Sequence, residues 1–263
     1  MFSLFPSRAV ALQLFGFSVH WYGLLYLLAF IIALVLLPLL QHYRKLTLAR
    51  DDWIAILSWG VVGVIVGGRL GYVLFYDPAY FAANPLTIFA VWEGGMSFHG
   101  GFLGVAIMLC ILAWRKKLPV LSIADIVVVP AAIGLALGRI GNFINQELYG
   151  TATTLPWGIA IPGVRGLRHP TPLYEMIGDL LIALCCYLYL RYGQTKINGR
   201  SFALFMILYG IDRFLLEYVR AQDYTLTAIG PLLLTRAQLL TIPVLIAGVI
   251  LWFWCGNHSR KNA

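Results

Sequence analysis

Long apolar runs separated by short polar connections dominate the chain. A helix needs about 20 apolar residues to cross the hydrocarbon core of a bilayer. About seven runs approach that length: Trp21–Leu40, Trp53–Tyr76, Gly100–Trp114, Pro119–Leu137, Pro172–Leu190, Phe202–Val219 and Gln238–Cys255. The third is short and is expected to begin before Gly100. The predicted fold is therefore an all-α polytopic membrane protein, one domain over residues 1–263, without a fixed-period repeat or a sizeable soluble domain. Residues 77–98 and 151–170 are expected as loops on one face. The first is rich in aromatic residues and glycine, and the second is an arm punctuated by Pro162, Gly163 and Gly166. Residues 1–19 carry one basic residue, Arg8, and lack a short apolar core followed by a cleavage site. They are expected to form a short amphipathic lead-in to the first span.

Composition agrees with this pattern. The chain is 60% hydrophobic and 11% charged, against about 25% charged residues in soluble domains. Its net charge of +8 is spread between the apolar runs rather than gathered into a nucleic-acid patch. The spread carries topology. Arg44, Lys45, Arg50, Arg115, Lys116, Lys117, Arg191, Lys196, Arg200, Arg260 and Lys261 fall in one set of connections. The opposite set holds only Arg8, Arg165, Arg168, Arg220 and Arg236. Basic connections face the cytoplasm, so the N-terminus is expected outside and the C-terminus inside.

With that orientation, most intramembrane polar residues gather towards the outer leaflet. Arg69 lies in the outer half of the second run and His99 at the outer mouth of the third. Arg139, Asn142 and Glu147 are expected to leave the outer end of the fourth. Glu175 and Asp179 begin the fifth, and Asp212, Arg213 and Glu217 lie in the outer half of the sixth. Only Asp125 lies towards the cytoplasm, with no evident partner. Charged groups in hydrocarbon are costly, so this convergence marks a functional site. Trp21, Trp92 and Trp157 suit an outer aromatic belt.

Tyr209, Arg213 and Glu217 recur every four residues and share a helix face, which Arg220 is expected to extend. Either Arg213 and Glu217 form a pair that locks the bundle, or Arg213 offers its fork to an anion. Arg139 is expected at the same depth. Either it pairs with Glu147, or the two arginines share an anion such as a lipid phosphate. Arg69 is another candidate for headgroup contact. His99, among glycines in Gly94–Gly101, has a reference pKa near 6.5, which suits a general base. Gly63, Gly67 and Gly71 have the small-xxx-small spacing of helix packing. Cys110, Cys185, Cys186 and Cys255 read as apolar packing residues, with no metal site or disulfide framework expected. No cofactor is expected.

Several blocks resemble, in chain order, the prolipoprotein diacylglyceryl transferase family. They are His20-Trp21-Tyr22-Gly23, residues 67–72, residues 94–101, Gly138-Arg139-Ile140-Gly141-Asn142-Phe143-Ile144-Asn145-Gln146-Glu147-Leu148-Tyr149-Gly150, Arg168-His169-Pro170 with Leu173-Tyr174-Glu175, and Tyr209-Gly210 with Arg213, Glu217 and Arg220. Where many members read Ser-Met-Gly-Gln before the last span, this chain reads Thr235-Arg236-Ala237-Gln238. The resemblance implies transfer of a diacylglyceryl group from phosphatidylglycerol to the lipobox cysteine of prolipoprotein signal peptides at the bacterial cytoplasmic membrane. It implies functional roles for Tyr22, His99, Arg139, Asn142, Glu147, Gly150, Tyr209, Arg213 and Glu217; Arg69, Asn145 and Arg220 are expected beside them as further substrate contacts. A transporter of anionic lipid would also use intramembrane arginines, but would place them near the midplane and show internal repeats.

Overall fold

The computed structural model describes residues 2–4, 7–91, 94–193, 198–221, 227–229 and 232–261. In chain order the elements are β1 (Phe2–Leu4), β2 (Val10–Leu14), β3 (Phe17–His20), α1 (Trp21–Leu40), α2 (Arg50–Phe75), α3 (Pro78–Ala83), α4 (Phe98–Lys116), α5 (Val120–Asn145), β4 (Ile159–Ala160), β5 (Leu167–Arg168), α6 (Thr171–Tyr192), α7 (Arg200–Leu216), β6 (Thr227–Ile229), β7 (Leu232–Leu234) and α8 (Arg236–Lys261). Among the described residues, five helical segments are long and apolar enough to cross a membrane: Trp21–Arg44, Arg50–Phe75, Val120–Asn145, Thr171–Tyr192 and Ala237–Asn257. The helices α4 and α7, of 19 and 17 residues, occupy the other two apolar runs. The protein is thus a mainly helical, multi-pass membrane protein.

The helices form two compact units, residues 47–123 and residues 1–46 with 124–263. The first is held by the seam between α2 and α4. A Cβ on Gly63, Gly67 or Gly71 would overlap the backbone of Gly100, Gly104 or Val105. The two helices therefore meet main chain to main chain, which is the packing expected of that glycine spacing. The N-cap of α4 is Ser97, whose hydroxyl accepts from the Gly100 N–H at 3.2 Å.

In the other unit the lead-in differs from expectation. Phe2–Leu4, Val10–Leu14 and Phe17–His20 form a three-stranded antiparallel sheet, β1-β2-β3, where a short amphipathic lead-in was expected. Leu14 pairs with Phe17 across a two-residue turn in which Phe15 and Gly16 both have positive φ. That turn matches the natural twist of a hairpin. The Trp21 N–H donates to Ala9 O at 3.0 Å and joins the sheet to the start of α1.

Asp125, left without a partner by the sequence, closes the far end of this unit. Its carboxylate accepts from Arg44 Nε at 2.7 Å, from the Gly199 N–H at 2.7 Å and from the Phe202 N–H at 2.8 Å. The first N–H groups of a helix lack intrahelical partners. Asp125 on α5 therefore caps α7 from a neighbouring helix while neutralising Arg44. The side chains of Arg44 and Asp125 are 1% and 0% exposed, so Arg44 is a core residue rather than a surface charge.

Candidate active site

The site in the larger unit is built around the end of α5. This helix continues past Leu137 to Asn145, so Arg139 and Asn142 sit on its last turns instead of leaving it. Their spacing of three puts them on one face, and Arg139 Nη1 approaches Asn142 Oδ1 at 3.4 Å. The helix ends in a left-handed turn at Gln146, φ 58°. The Gln146 N–H bonds Phe143 O and the Glu147 N–H bonds Asn142 O, at 3.2 and 3.1 Å. This is the hydrogen-bond pattern of a Schellman stop with glutamine where glycine is usual. Leu148 also has positive φ, 56°. Such conformations cost a non-glycine residue of order 1 kcal/mol or more and persist where surroundings hold them. Here the turn sends Glu147 back over the helix, where Oε1 accepts from Asn142 Nδ2 at 2.7 Å. Arg8 Nε and Nη2 donate to the carbonyls of Ile144 and Phe143 at 2.5 and 3.3 Å. A cation at a helix C-terminus is favourable, so the loop before β2 caps α5.

Tyr22, in the first turn of α1, accepts from Asn142 Nδ2 at 3.3 Å. Its ring lies directly on Gly141, where a Cβ would collide with it. Gly150 has equally little space, being enclosed by Val219 O, His169 and Thr171. It forms an antiparallel bridge with Arg220, and its N–H donates to His169 O at 2.8 Å. Arg220 thus lies beyond the end of α7, in extended chain, rather than continuing the helix face.

The arginines converge on a residue expected only as one of several polar groups near the outer leaflet. Glu175, one turn into α6, accepts through Oε1 from Arg213 Nη1 at 3.1 Å and from Arg220 Nη1 at 3.0 Å. Its Oε2 pairs with Arg139 Nε at 3.1 Å. Arg213 Nη1 also meets Glu217 Oε2 at 3.0 Å. The Glu175 side chain is 4% exposed, whereas the three arginines are 16–18% exposed. Arg139 therefore pairs with Glu175 rather than Glu147, and the anion shared by Arg139 and Arg213 is a carboxylate of the protein. Desolvation by burial pulls the Arg220 pKa down, and Glu175 opposes that shift. Among the described residues, the contacts of Arg213 and Arg220 run through Nη1, which leaves other guanidinium N–H groups for a further acceptor.

Glu217 is held in turn by α8. Thr235 Oγ1 donates to Glu217 Oε1 at 3.1 Å. The Gln238 N–H donates to Thr235 Oγ1, and the Thr235 N–H donates to Gln238 Oε1, at 3.1 and 3.0 Å. This reciprocal pair is a capping box. Threonine in place of serine keeps the hydroxyl on which it depends. Tyr209, one turn before Arg213, stacks on Phe205 with ring centroids 5.6 Å apart. Asp179 follows Glu175 by one turn, and Asp212 lies against Gly178, so acidic groups form a layer one turn deeper. Asn145 is exposed at the last residue of α5.

The remaining candidates belong to the smaller unit. Arg69 is 6% exposed. Its Nε donates to Ile88 O at 2.8 Å, Nη1 to Gly94 O and Gly95 O at 2.6 and 3.2 Å, and Nη2 to Thr87 O. Its guanidinium also stands over the Phe81 ring. The headgroup contact expected of Arg69 gives way to a structural task, because its donors are taken by loop carbonyls. The loop itself contains α3 and a 3-10 turn, Pro85–Phe89. His99 lies in the first turn of α4, and its side chain is outside the described part of the structure, as are Trp92 and Lys196 altogether. In the arm 151–170, β4 pairs with β5, and Tyr174 OH accepts from Trp157 Nε1 at 2.7 Å and meets His169 Nδ1 at 3.2 Å.

Glu175 was legible only as one of several acids near the arginines, since nothing in its local spacing names three partners. Gly141 carried no signal beyond its place in the signature.

Residues 9–254 match the family described as prolipoprotein diacylglyceryl transferase. A protein of Methylibium petroleiphilum named phosphatidylglycerol–prolipoprotein diacylglyceryl transferase is 44% identical over 260 residues, covering 95% of this chain and 97% of its own. Proteins with the same name from Nitrosomonas europaea and Coxiella burnetii are 41% and 42% identical. Each alignment covers 96% of this chain, with 91% and 97% of those relatives.

Proposed function

The chain belongs to the prolipoprotein diacylglyceryl transferase family, and from that premise we propose how its residues divide the work. It is a transferase of lipoprotein maturation that moves a diacylglyceryl group from phosphatidylglycerol to the lipobox cysteine of a prolipoprotein. The cysteine sulfur, as thiolate, attacks the glyceryl carbon that carries the phosphate ester. A C–S bond forms, and the C–O bond breaks with its electron pair going to oxygen. Glycerol phosphate departs, and the thiol proton passes to a base.

One observation carries the assignment of roles: three arginines from different elements of one unit, one of them in the signature, gather on the single carboxylate of Glu175. Arg139 and Arg213, with Arg220 beside them, bind the lipid phosphate and stabilise the charge that grows on it as the bond breaks. Tyr22 and Asn142 orient the headgroup, and Glu147 holds the Asn142 amide. Glu217 sets the Arg213 fork, Gly150 sets the register of Arg220, and Tyr209 and Asn145 flank the site along α7 and α5. Arg69 organises the outer loop that leads to His99. His99 takes the thiol proton, a role supported by its residue type and by the family motif around it. No cofactor or nucleic acid enters this reading.

The seven apolar runs cross the bacterial cytoplasmic membrane as α1, α2, α4, α5, α6, α7 and α8. The N-terminus and the site face the outer leaflet, where the signal peptide presents its cysteine. The distribution of lysine and arginine supports this orientation. The unbroken family match over residues 9–254 supports one transferase domain.

The test uses purified protein in detergent with phosphatidylglycerol and a synthetic lipobox peptide. Glycerol phosphate release should accompany a diacylglyceryl mass gain on the peptide and vanish with a Cys→Ser peptide. A folded, lipid-binding preparation that releases no glycerol phosphate would rule out the transferase reading.

A further inference from the structure

Glu175 occupies the ground that the proposed mechanism gives to phosphate. One carboxylate pairs with Arg139, Arg213 and Arg220 together, at 3.0–3.1 Å, and is almost completely withdrawn from solvent. The three arginines come from α5, α7 and the strand-like segment after α7. Without a central anion they would repel one another. A lipid phosphate that binds these guanidinium groups must share them with Glu175 or take them from it.

The charge balance of the reaction gives this competition a purpose. Phosphatidylglycerol is a phosphodiester with one negative charge. The leaving glycerol phosphate is a phosphomonoester, which carries about −1.5 to −2 at neutral pH. A cluster that stabilises departing charge therefore holds the product more tightly than the substrate, and turnover stalls unless something displaces the product.

We propose that Glu175 is a resident counter-anion for the phosphate site. It keeps the three arginines in register when the site is empty, yields contacts to the substrate phosphate, and reclaims them to expel glycerol phosphate. It is a positioning residue, since it acts through the arginines. The proposal rests on the phosphate-binding role given to Arg139 and Arg213.

The experiment compares wild type, Glu175→Gln, Glu175→Asp and Arg213→Lys as full-length protein in detergent. Glycerol phosphate is the probe, measured by calorimetry and as an inhibitor of transfer. Loss of one charge-assisted competitor should tighten glycerol phosphate binding about tenfold in Glu175→Gln. KM for phosphatidylglycerol should fall, and kcat should fall with it as release becomes limiting. Glu175→Asp keeps the charge on a shorter arm and should shift in the same direction by less. A residue that only braces the bundle would give the reverse, a raised KM and weaker glycerol phosphate binding. If Glu175→Gln binds glycerol phosphate no more tightly than wild type while Arg213→Lys loses binding, the counter-anion role is wrong and the arginine reading stands. If wild type binds no glycerol phosphate and Arg213→Lys transfers normally, the arginine reading falls and takes the proposal with it. Should Glu175→Gln fail to fold, the Glu175→Asp comparison decides by the same criteria.

Discussion

Two arginine–carboxylate clusters stand about 21 Å apart along α5, taking a rise of about 1.5 Å per residue between Asp125 and Arg139. They use the same chemistry to different ends. At Asp125 one carboxylate meets one guanidinium and two backbone N–H groups, and both side chains are essentially sealed. Charge is balanced, and the turn after α1, α5 and the start of α7 are fastened together. At Glu175 three arginines share one carboxylate, Glu217 supplies a second, and the guanidinium groups remain partly exposed. Among the described residues the directly paired groups carry three positive and two negative charges, a surplus of one. Arg69 adds a third arrangement, a cation saturated by loop carbonyls. An intramembrane arginine is thus not a binding residue by virtue of its type. Stoichiometry and residual exposure separate the closed lock from the open site.

The largest effect should come from breaking the lock. Removing one partner of a buried pair leaves an uncompensated charge and costs about 3–5 kcal/mol. Arg44→Met should therefore lower the unfolding temperature in detergent sharply, while the surviving folded fraction keeps its specific activity. Pairing it with Asp125→Asn, which retains an acceptor for the α7 N–H groups, should recover much of the loss.

Arg213→Lys attacks the open cluster instead. A compact ammonium does not reproduce the planar fork, and removal of a charge-stabilising donor costs roughly 10²–10³ in kcat. Transfer should collapse while thermal stability changes little. Full activity in this variant would show that Arg213 does not grip phosphate through its fork.

A smaller effect is expected one step back from the arginines. Gly141→Ala pushes a methyl group into the Tyr22 ring and tilts its hydroxyl away from Asn142. Small misplacements of positioning groups are costly, and a loss of about tenfold in kcat/KM is expected. The matching readout is Tyr22→Phe, which removes the hydroxyl without moving the ring and should reproduce most of that loss.

The smallest effect belongs to a pair with neither burial nor a charge surplus. Lys116 and Asp52 meet at 2.5 Å, but their side chains are 40% and 28% exposed. Exposed pairs contribute little. Lys116→Ala should leave both the unfolding temperature and transfer near wild type, and a large shift in either would mean exposure is a poor guide in this protein.

Much of this was readable along the chain. The apolar runs placed every long helix, because a bilayer-spanning segment must be apolar over most of its length. Costly polar residues in or just beyond those runs singled out Arg139, Asn142, Arg213 and Glu217, which the fold links into one network through Glu175. The four-residue spacing from Tyr209 to Glu217 anticipated the Arg213–Glu217 pair within a helix, since both partners lie on the same element.

Where partners came from different elements, linear order was silent. Nothing local to Glu175 indicates that it gathers arginines from α5, α7 and the segment beyond. Nothing near Asp125 points to Arg44 or to the start of α7, 74 residues away at Gly199. The end of α5 was placed too early, because the polar residues there resemble an exit from the membrane. Their charges are instead neutralised by neighbouring helices, so the helix continues to Asn145. The N-terminal sheet was missed because strands this short take their stability from pairing and not from their own composition.

The sequence by itself determined that this is a membrane protein with intramembrane charge, which residues carry that charge, and which family it resembles. Those properties follow from composition, run length and motif. Only the tertiary structure decided which arginines are open and which are spent. That depends on where distant carboxylates and carbonyls come to rest, and buried charges must find partners wherever the fold supplies them.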